Sequence, residues 1–299
     1  MPQWRRAGYP VPNRRMEFSH DIVYALRIKQ TFPGVVRLFL LEALLAGGAE
    51  HGPAFAADPS PSGPAELKYE EPTYLAAAIY GQGADSKKLL FNFKRVATRS
   101  GSTLKVQRDF TYPGGKPAAR ERVVYEGDDL VSYELEELQI GAAGSARLRH
   151  APGSPAKHSI EFEYRSEAGG RTKKATEALK GSAIIGDMIG PFLASNWNAL
   201  ARGEDVKRRY IVVPRRETVG FTFVKSGEST WQGKQVLLVK MEVSSVLLAA
   251  LVDPLLFTIE KAAPHRIFQY VGRTTPKVQA GTKWKDLDTV TVFDWATAR

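Results

Sequence analysis

The residues with chemistry to offer fall into two short groups. Pro214-Arg215-Arg216-Glu217-Thr218 lies between two strand-like runs. Arginine forks at a sheet rim grip carboxylate or phosphate. The same run also reads as a solvated hairpin turn, the usual fate of a charge run. Asp253-Pro254 with Pro264-His265-Arg266 forms the second group, and it too reads as turn chemistry. Only His150, His158 and His265 follow the first sixty residues, with no metal-ligand spacing and no H-E-x-x-H. His158 falls on the apolar face of its strand, which suits a half-buried residue better than a base. No G-x-S-x-G elbow and no P-loop occur. Gly81-Gln82-Gly83-Ala84-Asp85-Ser86 approaches G-x-G-x-x-G but leads into a strand, where a dinucleotide needs a helix. Glu134, Glu136 and Glu137 lie on one solvated strand face and its neighbour and make no paired-carboxylate site. The expectation is a non-enzyme with no catalytic residue, no metal and no cofactor.

The elements around these groups read mainly as β-strands. Leu89–Val96, Leu104–Phe110, Val131–Leu135 and His158–Tyr164 alternate apolar and polar residues, each with one dry face and one wet face. Such strands suit an antiparallel sheet. Tyr74–Tyr80, Lys207–Val213, Thr218–Lys225, Gln235–Val243, Leu255–Glu260, Arg266–Gly272 and Thr289–Phe293 complete a set of ten to twelve. The sequence predicts loops at 141–144 and 227–233. One helix stands out, over 187–201. It places Met188, Ile189, Phe192, Leu193, Trp197 and Leu200 on one face, with Arg202 and Gly203 closing it. A second short apolar helix is predicted over 245–252. The fold class is therefore mainly β: a single large curved antiparallel sheet, an open half-barrel, wrapping one or two apolar helices.

The chain has 299 residues, 43% hydrophobic and 25% charged, with a formal charge of +10. The surplus is scattered, unlike the clustered basic and aromatic footprint of a nucleic-acid binder. Cysteine is absent, so disulfides, thiolate catalysis and cysteine-based zinc sites are excluded. Basic residues precede the apolar run Val35–Ala46, and Ala54-Phe55-Ala56 follows it. That is the order of a secretory signal peptide, with Glu42 a defect in the run. The competing reading is a buried amphipathic helix. The run is too short to span a bilayer. The expected organisation is an extension and signal peptide over 1–56, a Pro/Ser-rich linker over 57–72 and one β-rich domain over 73–299. The location is then periplasmic, with no membrane span in the mature chain.

Three stretches carry a resemblance. They are Trp231-Gln232-Gly233-Lys234-Gln235-Val236, Val252-Asp253-Pro254-Leu255-Leu256-Phe257 and Pro264-His265-Arg266-Ile267-Phe268-Gln269-Tyr270-Val271-Gly272. Their layout resembles uncharacterised exported bacterial β proteins that share the curved half-barrel of the periplasmic lipoprotein carrier. The resemblance implies a sheet with an apolar concave face partly plugged by helices, and it carries over no catalytic residue.

These readings converge on a monomeric periplasmic binding or carrier protein for an apolar or amphipathic, lipid-like molecule. The alternative is a structural protein with a closed core, no ligand and an envelope-protein partner. The expected ligand-binding residues are Phe221 and Phe223 on one strand, Leu237 and Val239 on the next, and Phe268 and Tyr270 on a third. Each pair is two residues apart and so shares a face. Arg215 and Arg216 would meet a head group at the strand end.

Overall fold

Alternation of apolar and polar side chains builds nearly every strand of the computed structural model, which describes residues 72–151, 154–179, 181–245 and 253–299. The expected extension and signal peptide, almost all of the expected Pro/Ser linker and most of the predicted second apolar helix lie outside the described residues. The first half of the sheet is a run of antiparallel neighbours. β1 (Tyr74–Tyr80) leads to β2 (Leu89–Ser100), β3 (Thr103–Thr111), β4 (Pro117–Glu126) and β5 (Asp129–Glu137). Then come β6 (Ala142–Ala151), β7 (Ser154–Arg165) and β8 (Lys173–Leu179). In β2, Phe91, Phe93 and Ala97 are buried while Asn92, Lys94 and Thr98 are not, the period-two signature of a sheet with one dry face.

The second half starts at the far edge. β9 (Ala183–Ile184) pairs parallel with β10 (Val206–Val212). Antiparallel pairing then links β10 to β11 (Glu217–Trp231), β12 (Lys234–Val243), β13 (Leu255–Glu260) and β14 (Ile267–Arg273). β15 (Val278–Ala280) and β16 (Lys283–Lys285) form a separate hairpin, and β17 (Asp288–Asp294) pairs with both β14 and β1. The result is one 15-stranded sheet, curved and nearly closed into a barrel. Its two ends meet at a polar seam. Glu177 of β8 accepts from the Thr218 backbone at 2.6 Å, the Thr218 hydroxyl at 2.5 Å and Arg209 at 3.0 Å. Beside the seam, Val213 packs against Gly144 of β6, where a Cβ would lie 2.7 Å from its methyl group. A glycine inside a strand marks such close approach.

The helix predicted over 187–201 forms as two pieces. A 3-10 turn, Gly186–Met188, runs into α1 (Ile189–Ser195), and α2 (Trp197–Arg202) follows. The break falls at Asn196. Its amide donates back to the Phe192 carbonyl at 2.8 Å, and Ser195 does the same to Pro191 at 2.8 Å. Such back-bonding side chains bend helices. Phe192, Leu193 and Leu200 are fully buried in the main hydrophobic cluster. A second cluster, around Ile79, Phe91, Phe93 and Phe110, holds together the start of the chain's sheet.

Two strand details differ from the alternation reading. β6 forms where a loop is predicted at its start, since Ala142, Ala143 and Gly144 carry little pattern. β11 runs through the predicted loop at 227–231, accommodating the extra residue as a bulge between Lys225 and Gly227. The residues between β14 and β17 reach across to β4 and to the turn after β5. There Thr275 reaches Glu121 of β4 at 2.5 Å. Lys277 exchanges backbone bonds with the Gln139 side chain at 2.7 and 2.8 Å.

Candidate functional site

Between the two hydrophobic clusters the interior is not filled. A cavity of about 650 Å³ takes Ile79, Phe93, Phe110 and Phe293 from one side and Ile189, Leu255, Phe257, Ile267 and Tyr270 from the other. That volume falls within the roughly 300–1,000 Å³ of small-molecule sites. Gly190, Pro191 and Ala194 of α1 form one wall, and Thr274 and Thr275 form another.

The floor of the cavity is polar. Asp187, in the turn that starts α1, accepts from Arg95 at 2.8 Å and from the Tyr125 hydroxyl at 2.9 Å. Arg95 also donates to the Pro72 carbonyl at 2.6 Å. Arg108 donates to Glu121 at 2.5 Å, and its Nε lies 3.9 Å from Asp187. The Arg95 and Asp187 side chains are 3% and 1% exposed, so their charges are shielded from water and must answer each other. Burial alone would lower the Arg108 guanidinium, but Glu121 and Asp187 hold it above its ordinary value. Burial and Glu121 raise Tyr133 well above the ordinary tyrosine value and lift Tyr210 to about 12. At neutral pH both tyrosines are therefore hydrogen-bond donors. Gly186 lets this cluster pack, since a Cβ there would sit 2.9 Å from Arg108 and 3.2 Å from the Tyr210 hydroxyl. Arg108 Nε is buried and makes no hydrogen bond among the described residues, with the Asp187 carboxylate 3.9 Å away.

The mouth is the turn Ala263-Pro264-His265-Arg266, which opens with a cis Ala263–Pro264 bond. His265 adopts a left-handed backbone, φ 63°. Its ring stacks on Trp197 of α2 at 3.9 Å and 11° between planes. The Glu260 backbone donates to the Arg266 carbonyl at 2.8 Å and closes the turn. Arg266 lies over the ring of Trp295 at 5.4 Å, and the Trp295 indole donates to the Ile267 carbonyl at 2.7 Å. Of the second polar group of the sequence, Pro264-His265-Arg266 is thus the rim of the cavity, while Asp253-Pro254 does not line it.

The structure scatters the eight expected ligand-binding residues. Tyr270 lines the cavity. Phe223 is 0% exposed and packs on Phe192 of α1, with ring centroids 4.9 Å apart. Leu237 and Val239 are equally buried in the same cluster. Phe221 lies beside Tyr210, ring centroids 6.0 Å apart, at the margin of that cluster. Phe223, Leu237 and Val239 are therefore core, with α1 packed on Phe223, and Phe221 is half-buried at its margin. Phe268 parts from Tyr270 because the β13–β14 pairing shifts register: Ile259 faces Ile267 while Thr258 faces Gln269, leaving Phe268 as the extra residue. Phe268 sits under the Lys234 ammonium at 5.0 Å instead. Arg215 pairs with Glu217 at 2.5 Å in the β10–β11 turn, and neither it nor Arg216 lines the cavity.

The floor residues had no local signal, since Arg95 and Asp187 lie 92 positions apart. Glu137 is likewise not on a solvated face. It is 4% exposed, accepts from Tyr164 at 2.8 Å and pairs with Lys277 at 3.1 Å. Glu134 and Glu136 do lie toward solvent, both beside Arg122. Among the described residues, no group of histidine, aspartate and glutamate could hold a metal ion. No helix among them is long and apolar enough to cross a membrane.

No protein-family model and no curated protein matches the chain. Among solved structures it is similar to a DUF1329 family protein from Desulfovibrio piger, at 9% identity. The match covers 77% of this chain and 86% of that one with a TM-score of 0.24, too low to carry an argument.

Proposed function

We propose that the protein is a non-catalytic binding or carrier protein that takes an amphipathic, lipid-like molecule into the cavity between its two hydrophobic clusters. One observation carries this reading: apolar side chains of both hydrophobic clusters line one cavity of about 650 Å³ that the protein leaves unfilled. A protein that only needed a closed core would bring Phe93, Phe110, Phe257 and Ile267 together, because interiors pack to crystal-like density. The polar floor makes the site amphipathic. Carrier function also agrees with the resemblance of the Pro264-to-Gly272 stretch to the exported half-barrel proteins, and with export directed by the segment ending at Ala54-Phe55-Ala56.

Native mass spectrometry of detergent-free protein from the envelope fraction tests both parts. The expected spectrum shows one small molecule bound and a chain that starts near Ala57. A full-length chain as the sole species contradicts export. A bare chain that also takes up no added decanoate contradicts the carrier reading and favours a structural protein with an envelope partner.

A further inference from the structure

Charge around the cavity is unequal. Arg95, Arg108, Arg266 and Arg273 line it against only Glu121 and Asp187. Three of the four arginines are held by carboxylates. Arg95 is bound to Asp187, Arg108 to Glu121, and Arg273 to Asp286 and Asp288 at 2.9 and 3.1 Å. Arg266 has no ion pair with any described residue. Its one marked contact is the Trp295 ring beneath it. A cation–π contact uses none of the guanidinium's N–H donors, which remain able to fork onto a planar or tetrahedral anion. Its chain neighbour Ile267 belongs to the apolar wall. Head and tail positions are therefore adjacent in the chain. The turn that carries Arg266 is fixed twice, by the Trp197–His265 stack and by the Glu260–Arg266 backbone bond.

We infer that the ligand is an anionic amphiphile, with a carboxylate or phosphate head held at the mouth by Arg266 and its chain in the cavity. This rests on the binding reading above and deepens it.

The test is displacement of the uncharged probe N-phenyl-1-naphthylamine from the full chain at low salt. The competitors are decanoate, decyl phosphate and 1-decanol, all of equal chain length. In the wild type the anions should displace the probe at least tenfold better than decanol. Arg266→Gln should weaken the preferred anion about tenfold or more, the usual reach of a hydrogen bond to a charged group. It should leave decanol unchanged, which also reports that the variant is folded. Arg215→Gln, remote from the lining, should change nothing. Whichever anion displaces better identifies the head group. Anions no better than decanol, or an Arg266→Gln protein that keeps full anion affinity, overturns the inference while the cavity reading stands. A wild type that binds neither probe nor competitor removes both.

Discussion

Asp187 joins three consecutive strands to the start of a helix. Arg95 reaches it from β2, Arg108 from β3 and Tyr125 from β4. Removing one member of a buried ion pair leaves the other charged and unpaired, which costs about 3–5 kcal/mol. Asp187→Ala should therefore lower unfolding stability by about that amount in denaturant titration. A loss below about 1 kcal/mol, the scale of an exposed pair, would show that water reaches the floor. None of this was legible in the sequence. Arg95, Arg108, Glu121 and Asp187 each stand alone among ordinary strand or turn residues, and only the curvature of the sheet collects them. The mouth was half legible. Pro264-His265-Arg266 stood out as turn chemistry, but its stack on Trp197 depends on where α2 lands.

At the scale of elements, alternation located most strands, since a half-buried strand must alternate wherever one face is wet. It failed where the residues were too small to carry a pattern, as in β6. It also failed where a bulge reset the period, as at Phe268. The helix was found from its apolar face, but its break at Asn196 turns on side-chain bonds that periodicity does not encode. The break separates two roles. Phe192 on α1 is 1% exposed between Phe223 and the main cluster, whereas Trp197 on α2 is half-buried against His265. Phe192→Ala should cost about 3–5 kcal/mol of stability. Trp197→Ala should cost less, with the ring stack contributing about 0.5–1.5 kcal/mol of its loss. Equal losses in paired melts would place both rings in the core. They would contradict the assignment of α2 to the cavity mouth.

For the whole molecule, the sequence predicted a curved sheet around an apolar helix, and that is the architecture. It did not predict where the helix would sit. Apolar side chains of equal hydrophobicity serve equally as core or as cavity wall. Phe223, Leu237 and Val239 went to the core, while Phe93, Phe110 and Ile267 went to the wall. Only the position of α1 across the concave face divides them. The proposed function requires that the space left over bind a molecule. Ala194 of α1 lines that space and is only partly buried, so a large side chain there plugs the cavity without entering the packed core. The deciding measurement is the fluorescence titration of wild type and Ala194→Trp with N-phenyl-1-naphthylamine. The carrier reading predicts saturable binding by the wild type with a Kd in the low micromolar range, about −8 kcal/mol. It also predicts binding at least tenfold weaker in a variant that melts as the wild type does. No saturable binding by the wild type, or equal binding by both proteins, would contradict it.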